Sequence, residues 1–288
     1  MDFAVILGLD VLNGIATLVL ISLGLAIIFG MMRIINLAHG EFLMLGAYAT
    51  VVSTNLGVNV WVAMLVVSPL FVGLVGLVIE RTLIRFLYGR LVDTMLATWG
   101  LSLFLVGLIT TIFGNTIKGV PTPLGGFEVG AYRSSYYTLF LAGMALLLLA
   151  GVVGVLRYTR FGLIARATMH NPNMASALGV NPTRVYMVTF GIGAAVTGLA
   201  GALLAPVSGI SPTMGGAFVA KAFITVVGGG ASILAGTAAA SSLFGTINQL
   251  ASYATTPVFG EVMLLAAATV LIRILPEGIT GRFFKGSL

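Results

Sequence analysis

Apolar runs of about twenty residues succeed one another along the chain, separated by short polar stretches. None shows the strict alternation that a membrane barrel strand would need, so the runs predict helices. Spans are expected at about Val5–Gly30, Leu37–Leu56, Val60–Ile79, Thr94–Phe113, Tyr136–Leu156, Val185–Val207 and Thr256–Leu275. The stretch Gly114–Ser135 holds Pro121, Pro123 and Gly125-Gly126 and reads as a turn-rich outer loop. From Ser208 to Tyr253 the pattern loosens, because Pro212, Gly215-Gly216 and Gly228-Gly229-Gly230 interrupt an apolar run. Two short crossings fit there, or a re-entrant hairpin near residues 209–232, with its irregular backbone shielded by protein or facing a wet cavity. The expected fold class is all-α: a polytopic membrane helix bundle of seven to nine crossings, with residues 1–288 forming a single transmembrane domain.

Composition agrees with the pattern. Of the 288 residues 59% are hydrophobic and only 8% charged, against roughly a quarter charged in soluble domains. The chain has no cysteine and two histidines, which excludes thiolate chemistry and a dedicated histidine metal cluster. A net charge of +6 raises the question of nucleic acid, and its placement answers it. Eleven of the fourteen Lys and Arg fall in four groups: Arg33, Arg81–Arg90, Arg157–Arg184, and Arg273, Arg282 and Lys285. That grouping is the positive-inside pattern of cytosolic loops, not a nucleic-acid face. It sets the amino terminus outside and the carboxyl terminus inside, hence an odd number of crossings, seven or nine. No basic residue precedes Arg33, so the first run reads as a retained span and not a cleaved signal.

Ionisable residues inside spans are expensive and therefore informative. Asp10 and Glu261 lie close enough to span ends to sit at an interface. In INLAHGEFLMLGAY, Ile35–Tyr48, Asn36 can cap a helix starting at Leu37, and Glu41 gains from the positive end of that helix. Capping accounts for Asn36 but only partly for Glu41, which lies about 6 Å further along. His39 and Glu41, two residues apart, face different sides of a helix and do not pair directly. Lys221 either snorkels to the outer interface or joins the Gly228, Gly229 and Gly230 backbone at a central cavity. Asn36, His39, Glu41, Lys221 and Gly228–Gly230 are the candidate translocation path. A stripe of Ala194, Gly198 and Ala202 predicts close helix packing.

The most polar island is RYTRFGLIARATMHNPNMASALGVNPTRV, Arg157–Val185. Asn171 is a helix cap, Pro172 suits the first helical position, and Gly179 ends the turn. Met174, Ala175 and Leu178 are expected on one face of a helix of about seven residues, too short to stand alone. Such a helix needs a surface to rest on, either its own bundle or a groove in another protein. No G-x-x-x-x-G-K-[ST] motif occurs, and Gly228–Gly230 lacks both the lysine and the strand of a phosphate loop. No hydrolase or kinase constellation is present, so the chain reads as a transport component and not an enzyme.

INLAHGEFLMLGAY, ERTLIRFLYGR (Glu80–Arg90), RFGLIARATMHNPNMASALGVNPTRV and LPEGITGRF (Leu275–Phe283) together resemble the permeases of branched-chain amino acid ABC importers, in order along almost the whole chain. The resemblance implies a permease of the bacterial inner membrane, paired with a second related permease. Two cytosolic ATPases would bind the ATP and a periplasmic binding protein would deliver the ligand, with no cofactor in this chain. Asn171–Gly179 would be the coupling helix seated on an ATPase, flanked by Arg157, Arg160, Arg166 and Arg184. Urea and short-chain amide permeases belong to the same family, and LYGRLVDTMLATWGLSL, Leu87–Leu103, is similar to them. Two other classes compete: a channel for a small polar solute, and an ion-coupled transporter using His39, Glu41 and Lys221. Neither needs a docking helix for a soluble motor.

Overall fold

The computed structural model describes residues 2–130, 132–230 and 232–283. Lys285 and the Arg282 side chain, expected to hold the tail inside, lie outside what is described. The elements are α1 (Asp2–Met32), α2 (His39–Asn55), α3 (Val60–Val62), a π-helical stretch (Ala63–Val67), α4 (Ser68–Thr82), a 3-10 turn (Ile84–Leu87), α5 (Leu91–Phe113), β1 (Gly126–Val129), β2 (Tyr132–Ser135), α6 (Tyr136–Tyr158), α7 (Arg160–His170), α8 (Pro172–Ala177), α9 (Pro182–Ser208), α10 (Met214–Gly229), α11 (Ile233–Ala254), α12 (Pro257–Ile274) and α13 (Gly278–Phe283).

Six helices among the described residues are long and apolar enough to cross a membrane, or up to seven if the bent pair α10–α11 counts as one span. This is a multi-pass helical membrane protein. The α2 helix, with 17 residues, falls short of the roughly twenty that a perpendicular crossing needs. The pair Met214–Gly229 and Leu234–Ala254 is bent by 118°, so the loosened stretch is a sharply broken helix pair, as its glycines foretold.

Several local departures have physical causes. The second helix starts at His39, not Leu37, because Asn36 spends its side chain on a tight turn. Its Oδ1 accepts the Ala38 N–H at 3.1 Å, and its carbonyl accepts the His39 N–H at 3.2 Å. The third span widens to π geometry over Ala63–Val67, where Ser68 N–H reaches back to the Ala63 carbonyl. Pro69 follows; it has no N–H and its ring crowds the carbonyl four residues earlier, so the helix opens there. The outer loop holds a hairpin that the turn residues alone did not reveal, pairing Gly126 with Ser135 through Val129 with Tyr132.

The chain forms two compact units. One comprises Leu23–Pro121 and Ala150–Val219; the other comprises Met1–Ser22, Thr122–Leu149 and Ala220–Leu288. In the first, α9 packs along both α2 and α4, and α2 is buried along most of its length. Small residues make this possible. A Cβ on Gly46 would come within 2.6 Å of the Gly198 carbonyl carbon, so the α2 and α9 backbones touch. The Ala194–Gly198–Ala202 stripe is buried in this seam, with Val72 of α4 against Gly198. Polar cross-links add to it: Ser68 Oγ donates to the Gly46 carbonyl at 2.6 Å, and Thr50 and Ser68 hydroxyls lie 2.9 Å apart. In the second unit, α11 packs on α12 and α13, while Gln249 Nε2 donates to the Asp10 carbonyl at 3.0 Å.

Candidate functional site

The polar island folds as three capped helices in succession. Thr159 Oγ1 accepts the Gly162 N–H at 3.1 Å, Asn171 Oδ1 the Met174 N–H at 2.9 Å, and Asn181 Oδ1 the Arg184 N–H at 3.2 Å. Pro172 and Pro182 occupy the first helical positions of α8 and α9, where a missing N–H costs nothing. Gly179, at φ +85°, closes α8: its N–H bonds Ser176 O at 3.0 Å, and Val180 N–H bonds Ala175 O at 3.0 Å. Only glycine takes this left-handed position without strain.

Exposure divides the expected apolar face. Ala175 is turned inward at 4% exposure, whereas Met174 and Leu178, one turn apart, stand out at 60% and 78%. The three therefore do not share a face. Ala175 seats α8 on its own protein, while Met174 and Leu178 point away from it. The α7 helix, Arg160–His170, went unread in the sequence. It packs on α8 and α9, sets Gly162 against the Val155 and Leu156 carbonyls at the end of α6, buries Ala165 and Thr168 at three-residue spacing from it, and leaves Leu163 and Ile164 exposed. The Thr159 cap and that three-residue spacing were the available signal. Arg166 bends back, with Nε donating to the Gly162 carbonyl at 3.4 Å, and Arg157, Arg160 and Arg184 are exposed around the loop. Replacing Asn171 with alanine removes a cap worth about 1 kcal/mol. Amide exchange within α8 is then expected to speed up about fivefold, and Asn171→Asp should restore it.

The start of α2 is the buried polar centre of its unit. Asn36, His39 and Glu41 are all buried. Glu41 Oε1 accepts the Ser102 hydroxyl at 2.7 Å. One turn earlier on α5, Thr98 Oγ1 accepts the Leu37 N–H at 3.1 Å. The second Glu41 oxygen, Oε2, is buried without a hydrogen-bond partner, as is Asn36 Nδ2. Oε2 lies against Gly215 at the first turn of α10, so close that any side chain there would strike it, and Gly40 packs on the Gly215 backbone. An unpartnered buried carboxylate oxygen costs about 1–3 kcal/mol or more. A chain that keeps one inside a span has a use for it.

In the other unit Lys221 is paired, its Nζ 2.5 Å from Glu261 Oε1. This pairing joins residues forty apart in sequence and was not foreseen. The three glycines mark close approaches: Gly228 against the Phe244 ring, Gly229 against Gly236, and Gly230 (φ +84°) against Gly278. Their open sides are thus filled by protein. Asp10 and Glu261 line a shallow cleft of about 360 Å³ with Asn248, Gln249 and Tyr253.

The profile described as "Branched-chain amino acid transport system / permease component" matches residues 8–274. The Escherichia coli K12 high-affinity branched-chain amino acid transport system permease protein LivH is 29% identical over 290 residues, covering 94% of both chains. Its Salmonella typhimurium counterpart is 30% identical over 296 residues, again covering 94% of each. The Pseudomonas aeruginosa permease protein BraD is 27% identical, with 95% of each chain covered. No solved structure matches.

Proposed function

This chain belongs to the family of branched-chain amino acid transport permeases, and from that premise we propose that it is the transmembrane permease subunit of an ATP-driven importer of branched-chain amino acids, moving substrate by alternating access. The observation that carries the reading is α8: a helix capped at both ends, seated through Ala175, offering Met174 and Leu178 to a partner. Its role is to receive the stroke of a separate ATPase, since the sequence contains no phosphate loop of its own. A second related permease and a periplasmic binding protein complete the assembly. The basic loops set the polar island in the cytosol and the amino terminus outside. That orientation requires an odd number of crossings.

Glu41 is the group we assign to the substrate. An amino acid carries an ammonium with three N–H donors, and Glu41 Oε2 is a buried acceptor without a donor. In the arrangement described, the first turn of α10 closes over Glu41 at Gly215. A shift of that turn would open the carboxylate to the path, and the arriving ammonium would complete its hydrogen bonding. Glu41→Gln keeps an acceptor oxygen for Ser102, removes the charge and puts an N–H donor in place of the second acceptor oxygen. It is expected to cut leucine uptake at least about tenfold, the worth of one charge-assisted hydrogen bond, at normal membrane abundance. Uptake equal to the parent would return Glu41 to a structural role. Labelled leucine and urea, compared in a deletion strain carrying this chain with its partner subunits, decide the substrate: leucine and not urea is expected to accumulate.

A further inference from the structure

A second buried carboxylate lies at the end of α4, and no part of the transport reading uses it. Glu80 is fully buried. Its Oε1 accepts the Tyr88 hydroxyl, and its Oε2 has no hydrogen-bond partner. Burial, reinforced by the Glu80 carboxylate that accepts its proton, holds the Tyr88 phenol above its ordinary range, so Oε1 keeps its donor. Glu80 lines a cleft of about 410 Å³ between the last turn of α4 and the first turns of α9. Arg81, Arg85 and Arg184 stand around the same cleft, each exposed and none in an ion pair among the described residues. Met187 and Val188 form its apolar side, one turn further into α9.

We infer that this cleft seats the headgroup of a membrane lipid bearing both phosphate and ammonium, the phosphoethanolamine type. Three guanidiniums with free forks match phosphate oxygens. They stand at the ends of two helices long and apolar enough to span, Val60–Thr82 and Pro182–Ser208, the depth at which lipid phosphates lie. The apolar rungs Met187 and Val188 continue from that point toward the hydrocarbon, where acyl chains would follow. A phosphate alone leaves Glu80 unexplained, since a carboxylate repels it and Oε2 would still lack a donor. An ethanolamine ammonium supplies that donor two carbons away from the phosphate ester oxygen; choline, with no N–H, cannot. This inference does not depend on the transport reading. It needs only that the ends of α4 and α9 stand at a membrane surface.

The test is native mass spectrometry of the full purified complex, titrated separately with phosphatidylethanolamine, phosphatidylcholine and phosphatidylglycerol. Retention of phosphatidylethanolamine about tenfold above phosphatidylcholine is expected, the worth of one hydrogen bond to a buried charge. Glu80→Gln should erase that preference while leaving phosphatidylcholine retention as it was. The exposed pair Arg81→Gln and Arg184→Gln should weaken retention of all three lipids. Equal retention of the three by the parent complex would overturn the inference, whatever the variants do. So would a preference unchanged in Glu80→Gln. Soluble glycerophosphoethanolamine binding as tightly as the lipid would overturn the lipid assignment in favour of a free ester. A preference seen only after the ATPase subunits are stripped away would give the cleft to a protein partner instead.

Discussion

Replacing Gly201 with valine is expected to abolish accumulation of folded protein in the membrane. A Cβ at this position would lie 2.6 Å from the Leu43 carbonyl carbon and 2.8 Å from its Cα, with the carbonyl oxygen closer still. These are backbone atoms of α2, so no side chain can rotate away, and relief requires α2 and α9 to separate. Overpacking costs about 1–3 kcal/mol where side chains can adjust, and more where backbone must move. Folded domains have only about 5–15 kcal/mol to lose. The loss would propagate, because Gly46 meets Gly198 in the same seam and Ser68 cross-links to the Gly46 carbonyl. In a bilayer there is little hydrophobic drive between helices, so close backbone approach is itself a main source of association. Gly100, in α5, provides the comparison: nothing lies within 4 Å of its added Cβ. Size-exclusion profiles of fluorescently tagged protein should show a monodisperse peak for Gly100→Val and none for Gly201→Val. Similar profiles for the two would mean that the α2–α9 contact does not hold the unit together.

Placing aspartate at both Met174 and Leu178 is expected to reduce uptake to background, about a hundredfold, without loss of protein from the membrane. Both side chains are already exposed, so the fold does not depend on their burial. Docked in a partner groove, each would contribute about 1.5–3 kcal/mol of apolar burial, and each aspartate would add the cost of desolvating a charge. ATPase subunits that still assemble should then hydrolyse ATP without transport. Ala175→Asp makes the contrast: at 4% exposure its charge would be forced into the protein's own interior, and α8 would come loose. Normal uptake by the Met174 and Leu178 double variant would remove α8 from the coupling path.

These two predictions also mark where the sequence was legible. Every expected span but Leu37–Leu56, the broken stretch before Tyr253 and the caps at Asn171 and Gly179 were readable because each depends on local chemistry: hydrophobic length, a side-chain oxygen at an N-cap, a positive φ. The Ala194–Gly198–Ala202 stripe announced a close contact but not its partners, since Gly46 and Val72 are remote in sequence. For the same reason the Lys221–Glu261 pair and the Glu41–Ser102 bond were invisible; a bundle makes its polar contacts between helices, and periodicity reports only within one. The face assigned to Met174, Ala175 and Leu178 failed because helical spacing groups residues without saying which side the protein itself occupies. Ala175, the smallest of the three, is the one that is buried. Asn36 was expected to cap a helix from Leu37, but the helix begins at His39 with Ala38 at its N-cap and no side-chain cap bond, because the Asn36 side chain closes a turn at Ala38 instead.

The central claim, that this chain passes branched-chain amino acids under the control of a separate ATPase, meets its most direct test in proteoliposomes. Labelled leucine uptake would be measured with the permease pair and binding protein, with and without the ATPase subunits and ATP. Uptake that requires both, and that disappears with Met174→Asp and Leu178→Asp, is the result predicted. Leucine entering at full rate without the ATPase subunits would contradict it.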